Sequence, residues 1–187
     1  MAARTGGFKG AFAVHTWILT KRAASQDYDR YDKLGWGNPV RKNAYAPDAK
    51  WYSNAPYVVT RIVGTEAAKL IPKVEAAIAN YPFSTRGDYH IWPGPNSNTF
   101  VATVLRDVPE LGAVLPPHAV GRNYLGAATW YMREADGSDT HINLLGLIGL
   151  SFGTKTGFEL QFMGQTIGID INKPAIKLPA LGRFDIS

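Results

Sequence analysis

Alternating apolar and polar positions predict strands along the first 64 residues. Residues 10–21, GAFAVHTWILTK, place apolar side chains on both faces, which predicts a strand covered on both sides. A second, more polar strand is predicted over 28–36, and the β-branched run YVVTRIV at 57–63 predicts a third. The segment 38–56 is predicted to be a polar loop with two aromatic anchors, Trp51 and Tyr52.

A helical period begins near Thr65. Pro72 lies inside this period and leaves two alternatives: a new helix that begins at Pro72, or one helix that is kinked there. The helix is predicted to end before Pro82. Five apolar residues share one face at three- and four-residue spacing: Leu70, Val74, Ala77, Ile78 and Tyr81.

A second helix is predicted after the turn WPGPNSN. A short extended piece at 88–92 leads into this turn, and the helix stops at Pro109. Asn96 is the expected N-cap, because an asparagine side chain accepts hydrogen bonds from the first backbone N–H groups of a helix.

The last third of the chain changes to a strand pattern. A strand is predicted within 126–133, followed by a turn at 135–139, and two apolar strands at 142–152 and 158–171 form a predicted hairpin through 154–157. The hairpin is expected to belong to a buried sheet; the alternative is that its glycine-rich apolar strands bind a lipid or a partner. The tail at 174–183, PAIKLPALGR, is predicted to be an extended strap.

These elements predict an α+β fold in a single domain, with a mostly antiparallel sheet and two main helices. Its parts are a basic, strand-rich segment at 1–64, a helical middle at 65–110 and a glycine-rich β-hairpin part at 126–187. The 19 glycines and 12 prolines disfavour a helical bundle, and the 12% aromatic content disfavours a disordered chain.

The net charge of +5 is concentrated at one end. Residues 1–50 carry nine basic and four acidic side chains, whereas residues 51–187 carry eleven of each. Without an arginine-rich run, this pattern disfavours nucleic-acid binding and favours an anionic membrane surface near the N-terminus. The most apolar run, 142–152, is too short to span a membrane.

Ser97 is the first candidate for chemistry. If Asn96 caps the helix, Ser97 occupies its first position, where unpaired N–H groups and the helix dipole stabilise a nucleophile or an anion. The backbone amides around Asn98 would then stabilise an oxyanion. The alternative is a purely structural polar cap that holds the Pro-Gly turn against the helix.

His15 is the natural partner to consider for Ser97. Should its strand pack beside the second helix, the imidazole could accept the serine proton. A histidine on an apolar strand face is also common as a buried core residue. The orienting third group stays open among Asp32, the Trp36 indole and His90.

No metal or cofactor is expected. His118 and His141 lie at no metal-ligand spacing, and the chain has no cysteine for a thiolate site or a nucleophile. The phosphate-binding and dinucleotide-binding glycine motifs and the G-x-S-x-G elbow are also absent.

Five strings, in order along the chain, resemble the bacterial family called domain of unknown function 3750: FAVHTWI, GWGNPVR, PNSNTFVATVLRDVPEL, LPPHAVGRNYLG and IKLPALGR. The resemblance implies a hydrophobic anchor ahead of the first residue. It therefore implies a tethered domain in the bacterial cell envelope, on the periplasmic side, although a cytoplasmic location stays open. The family carries no assigned activity.

The order of features also resembles the circularly permuted papain-like fold of NlpC-type hydrolases and the lecithin-retinol acyltransferase group. In that fold a histidine strand precedes a helix that starts with the catalytic cysteine. The resemblance implies that His15 is the base and that Ser97 takes the place of the nucleophile. Serine instead of cysteine implies a serine-dependent variant, a pseudoenzyme or an engineered substitution.

Two functions follow as hypotheses. The first is a serine-variant papain-like hydrolase or acyltransferase that acts on an envelope amide or ester. The alternative is a non-catalytic envelope-binding or scaffold module, whose partner would be an envelope small molecule, a lipid or a peptide. In either case Asn96, Trp36, His90 and Trp92 are the expected ligand-binding side chains of the cleft.

Overall fold

The computed structural model describes residues 1–186, in which two α-helices accompany twelve β-strands. Helix α1 spans Gly64–Ala79 and helix α2 spans Ser97–Asp107, with short 3-10 turns at Gly7–Ala11 and Pro109–Leu111. The strands pair antiparallel throughout, so the predicted α+β class is confirmed.

Five short strands precede the helices: β1 (Ala2–Arg4), β2 (Val14–Thr16), β3 (Ile18–Thr20), β4 (Asp29–Lys33) and β5 (Val40–Lys42). They form two sheets, β1-β2 and β3-β4-β5. The single strand predicted over 10–21 is therefore wrong in extent. The chain changes sheets at Trp17, whose backbone pairs with Met1 and so continues the β1–β2 pairing by one residue before β3 begins.

Both faces of the β2–β3 segment are covered, as predicted. Val14 and Ile18 face the main core, which the two helices close, while Trp17 and Leu19 face a second, smaller cluster. Burial on both sides explains why this segment is apolar at nearly every position. The main core contains Leu70, Val74, Ala77, Tyr81, Phe100, Val101 and Val104.

The strand predicted at 57–63 does not form. Only Tyr57 makes an isolated bridge, to Ala2, and the rest of the segment has no regular pairing. Val59 and Ile62 pack against the main core while Val63 is 71% exposed. Tertiary packing has therefore overridden the preference of the β-branched residues in this run for a β-strand.

Three smaller predictions need correction in the same part of the chain. The loop predicted at 38–56 contains β5, and the extended piece predicted at 88–92 has no strand pairing. Trp51 is buried as the predicted anchor, but Tyr52 is 63% exposed.

Helix α1 runs through Pro72 as one helix, so no new helix begins at Pro72. Neither helix within 1–186 is long and apolar enough to cross a membrane.

The last third forms a seven-stranded antiparallel sheet in which strands that are consecutive in the chain lie side by side. Each of the two long predicted strands is split by a tight turn, and the predicted strap is itself a hairpin. The strands are β6 (Tyr131–Arg133), β7 (Asp139–Leu144), β8 (Ile148–Gly153), β9 (Gly157–Phe162), β10 (Gln165–Asp170), β11 (Ala175–Leu178) and β12 (Gly182–Asp185).

The two turns explain why the sequence pattern was misread. Leu145 and Gly146 both have positive φ, as do Met163 and Gly164. Such residue pairs reverse the chain within a few residues, and their apolar members conceal the turn in an otherwise apolar run. The turn predicted through 154–157 does join β8 to β9, so that hairpin is confirmed.

The expectation of a buried sheet is wrong for one face. The inner face packs on the N-terminal part and carries polar groups such as His141, Glu159 and Lys177. The opposite surface, called the outer face below, is solvent-exposed. Its large side chains are Tyr131, Ile142, Leu144, Ile148, Phe152, Phe158, Leu160, Phe162, Ile167, Ile169, Ile176 and Phe184.

Candidate active site

Asn96 caps helix α2 as the sequence predicts. Its Oδ1 accepts from the backbone N–H of Asn98 at 2.9 Å and of Thr99 at 3.1 Å, while Thr99 Oγ1 accepts from the Asn96 N–H at 3.1 Å. Asn96 Nδ2 donates to the carbonyls of Ile91 and Val120. Both polar groups of the Asn96 side chain are thus bonded within the protein, so the role of this side chain is to hold the turn that precedes the helix.

The backbone N–H of Asn98 is likewise committed to the cap. The oxyanion role expected for it conflicts with its donation to Asn96, and Ser97 is the residue at the first helical position. Asn98 acts through its side chain instead. Its Nδ2 donates to the Val14 carbonyl at 2.9 Å, and its Oδ1 accepts from Thr16 Oγ1 at 2.9 Å. These bonds fix the N-terminus of α2 to β2.

The sequence places His15 between the two β2 residues that Asn98 holds. The His15 ring stacks on Trp51, with centroids 3.9 Å apart and planes 10° apart. Its Nε2 lies 3.0 Å from Asp32 Oδ1 on β4. Of the three orienting groups left open by the sequence, the structure brings Asp32 to His15.

Asp32 is held in turn by Arg30, two residues earlier on the same strand face. The guanidinium donates Nε to Oδ2 at 2.7 Å and Nη2 to Oδ1 at 3.0 Å. It also stacks 4.1 Å from the Trp17 ring centroid. Arg30 and Asp32 are fully buried, so this planar two-point pair is shielded from water.

The electrostatics assign a protonation state to the pair. Burial lowers the pKa of His15, although the hydrogen bond that His15 donates to Asp32 acts in the opposite direction. Burial acts to raise the pKa of Asp32, but the bonds from His15 and Arg30 outweigh it and hold that pKa low. A neutral imidazole beside an ionised carboxylate must donate from Nε2, which leaves Nδ1 as an acceptor.

Ser97 is buried against Tyr89. Burial raises the pKa of the Tyr89 phenol, and the hydroxyl and backbone N–H of Ser97 oppose this rise because both favour the ionised phenol. Tyr89 also lines an open groove of about 450 Å³ that contains Gly35 and Arg86. A Cβ on Gly35 would lie 3.0 Å from the Tyr89 ring, so the glycine permits this close packing.

The other expected binding residues lie away from the His15–Asp32 pair. Trp36 is half exposed, and its carbonyl accepts from Arg41. His90 is exposed, and its backbone N–H donates to Pro95 in the turn before α2. Trp92 Nε1 donates to the Met163 carbonyl, which ties the turn to the seven-stranded sheet.

Three residues of this site were not among the candidates from the sequence: Arg30, Trp51 and Tyr89. The spacing of Arg30 and Asp32 places both on one strand face, which is a usable signal for an ion pair. Trp51 was identified only as a loop anchor, although it covers the His15 ring. Tyr89 lies in a segment without regular pairing, and no pattern in the sequence points to it.

A cluster that could hold a metal lies elsewhere, on the inner face of the sheet. One ligand atom from each of Glu134, Asp139 and His141 lies within 4.8 Å of the others. Each group already has protein partners, however. Lys155 donates to Glu134, the backbone N–H of Thr156 donates to Asp139, and Ser151 bonds to His141.

A family model described as "Protein of unknown function (DUF3750)" matches residues 1–124. The chain belongs to this family. The matched DUF3750 region contains His15, Asp32, Tyr89 and Ser97, and it ends before β6 begins. No curated protein and no solved structure matches the chain.

Proposed function

We propose that this chain catalyses acyl transfer, with Ser97 as the nucleophile, His15 as the base and Asp32 as the group that orients the base. The substrate class that we propose is an amide or ester of the bacterial cell envelope, on the periplasmic side. The 3.0 Å contact between His15 Nε2 and Asp32 Oδ1 is the single observation that carries the proposal. It is the base-and-orienter half of a catalytic triad.

The free nitrogen of His15 supports the role of base. Within residues 1–186, Nε2 is the ring nitrogen of His15 that has a hydrogen-bond partner. Nδ1 is therefore available to accept a proton, and the lowered pKa keeps it unprotonated near neutral pH. Asp32 would stabilise the imidazolium that forms.

The junction of α2 and β2 supports the pairing of His15 with Ser97. Asn98 bonds to the Val14 carbonyl, and Thr16 Oγ1 lies 3.4 Å from the Ser97 carbonyl oxygen. His15 lies between Val14 and Thr16 on β2, and Ser97 precedes Asn98 on α2, so these bonds hold together the two elements that carry the proposed base and nucleophile. The helix N-terminus meets the edge of β2 opposite the one that pairs with β1, where the Val14 N–H also donates to the His118 carbonyl.

The proposed reaction proceeds in two halves. Ser97 Oγ attacks the carbonyl carbon while its proton passes to His15 Nδ1. The Tyr89 hydroxyl donates to the oxyanion, and the Ser97 N–H does so after it exchanges the Tyr89 oxygen for the oxyanion. The intermediate collapses as His15 protonates the departing amine or alcohol. Water then hydrolyses the acyl-serine, or a second alcohol or amine accepts the acyl group.

The groove beside Tyr89 supports a substrate with an anionic group near the reacting carbonyl. Arg86 lies on its wall, and a guanidinium binds carboxylate or phosphate groups through paired hydrogen bonds. Leu34 and Pro39 supply apolar wall surface on the other side.

A fluorophosphonate probe tests this function directly. We expect covalent labelling at Ser97 of the wild-type chain, no labelling of Ser97→Ala, and at least a tenfold slower reaction of His15→Gln. Ser84→Ala is the matched control, because Ser84 is an exposed serine in the same segment as the groove residue Arg86. Equal labelling of the wild-type chain and Ser97→Ala would contradict the proposal.

The second candidate is a binding module that uses the same groove without chemistry. The contact of Ser97 with Tyr89 favours this binding module, because the hydroxyl and N–H of Ser97 already bond to the Tyr89 oxygen. This candidate predicts no labelling at Ser97. It also predicts that Arg86→Ala weakens ligand binding, whereas Ser97→Ala leaves binding unchanged.

A further inference from the structure

The outer face of the seven-stranded sheet is the most unusual surface of the molecule. Its apolar side chains form continuous rows across the strands, since Ile142 pairs with Leu150, Leu150 with Leu160, and Leu160 with Ile167. A second row includes Phe152 beside Phe158. Monomeric proteins usually place such rows against a core.

The area of the outer face exceeds what a monomer usually exposes. Twelve large side chains on it are between 37% and 67% exposed. An aromatic side chain has roughly 150–250 Å² of surface, and Ile and Leu have less, so twelve side chains that are about half exposed present on the order of 1,000 Å². The largest apolar patch of a typical monomer is about 300–600 Å², whereas a stable protein interface buries about 800 Å² on each partner.

The inner face shows why the sheet cannot cover its own apolar surface. Glu159 there receives bonds from Arg122 and Lys177, and all three groups are almost fully buried. Turning the sheet over would separate Glu159 from Arg122 and expose these charged groups, so the polar face stays inward. Within residues 1–186 the apolar outer face is therefore left exposed.

We propose that the outer face is a dimer interface with a second copy of this chain. The face is self-complementary, because its rows are apolar from edge to edge and its exposed area is that of a stable interface. Two such sheets would stack face to face about 10 Å apart, with side chains interdigitating. A two-fold axis allows the same patch to serve both copies.

The charge distribution favours a second copy over a lipid surface. Among the strand positions of β6–β12 that lie on the outer face, only Arg133 on the edge strand β6 is charged. Residues 126–187 contain five basic and six acidic side chains, a net charge of −1. A sheet region of this charge gains no attraction to an anionic bilayer, whereas two uncharged faces meet without repulsion.

Sedimentation velocity of the purified chain tests the proposal. We expect a dimer for the wild-type chain and a monomer for Leu160→Lys, because Leu160 lies on the central strand β9 and is 50% exposed. Val63→Lys is the matched control, since Val63 is exposed but lies outside the sheet; this variant should remain dimeric. Far-UV circular dichroism checks that each variant is folded.

Cross-linking gives an answer even if Leu160→Lys fails to fold. The chain has no cysteine, so Leu160→Cys introduces one thiol near the proposed axis. Oxidation should produce a disulfide-linked dimer of Leu160→Cys and little of Val63→Cys. A monomeric wild-type chain, a dimer unaffected by Leu160→Lys, or a monomer that sediments with phosphatidylcholine or phosphatidylglycerol vesicles would overturn the proposal, the last in favour of lipid.

Discussion

The DUF3750 region and the seven-stranded sheet differ in where they place their large apolar side chains. In the first, apolar side chains such as Phe100 fill the core between the helices and the small sheets. In the second, the charged Glu159 is buried while Phe162 is 67% exposed. An apolar strand pattern therefore predicts a strand but not which side of it faces solvent.

The two regions meet through polar contacts. Arg122, near the end of the family match, donates to Glu159 on β9, and Arg4 on β1 donates to the Ala180 carbonyl. The sheet thus depends on charges supplied by the region before it.

The first prediction compares two phenylalanines. Phe100→Ala should lower the free energy of unfolding by about 4 kcal/mol, because it opens a cavity in the fully buried core. Phe162→Ala on the outer face should cost less than about 1 kcal/mol when the chain is dilute enough to be monomeric. Urea unfolding measures both. Similar losses would mean that the outer face is covered within the monomer.

The second prediction concerns charge in the sheet. Glu159→Gln should lower the free energy of unfolding by about 3 kcal/mol, because it leaves Arg122 and Lys177 buried without their counter-charge. Glu110→Gln is the control: Glu110 pairs with Lys73 at the surface, and its loss should leave stability nearly unchanged. A stable Glu159→Gln would show that the polar inner face is dispensable.

The third prediction concerns pH and His118, which packs against Gly182 of the sheet. Burial, assisted by Arg4 and Arg122, lowers the pKa of His118 to about 4 from 6.5. Between these values the unfolded chain binds more protons than the folded one, so stability falls as pH drops from 6.5 towards 4. At pH 5 the loss from this group is about 2 kcal/mol.

Urea midpoints at pH 7 and pH 5 measure this effect. His118→Leu should have a smaller difference between the two midpoints than the wild-type chain. The lowered pKa of His15 acts in the same direction, so some dependence should remain. An unchanged difference in His118→Leu would rule out His118 as its source.

The candidate site was predictable where local rules govern it. The cap at Asn96 and the start of α2 follow from helix-end chemistry, which involves residues only three apart. The partner of His15 could not be chosen from the sequence, because Asp32, Trp36 and His90 were all plausible by type. The register of β3 with β4 placed Asp32 beside the ring and left the other two elsewhere.

The roles predicted for Ser97 and His15 in catalysis remain predictions, as do the single domain, the papain-like architecture and the location in the envelope.

Asn98 illustrates what the sequence could not supply. Its place near the helix start suggested a backbone role, whereas three side-chain bonds to segments 22 and more residues away make it the link between α2 and its surroundings.

The sequence by itself determined the α+β class, both helices, the α2 cap and the strand character of the last third, because these depend on periodicity and on turn chemistry within a few residues. The tertiary structure alone decided which face of the large sheet is buried. Alternation with a period of two separates the two faces of a strand but does not say which face is buried. The buried salt bridges of Glu159 with Arg122 and Lys177, which hold the polar face inward, form only when distant segments meet.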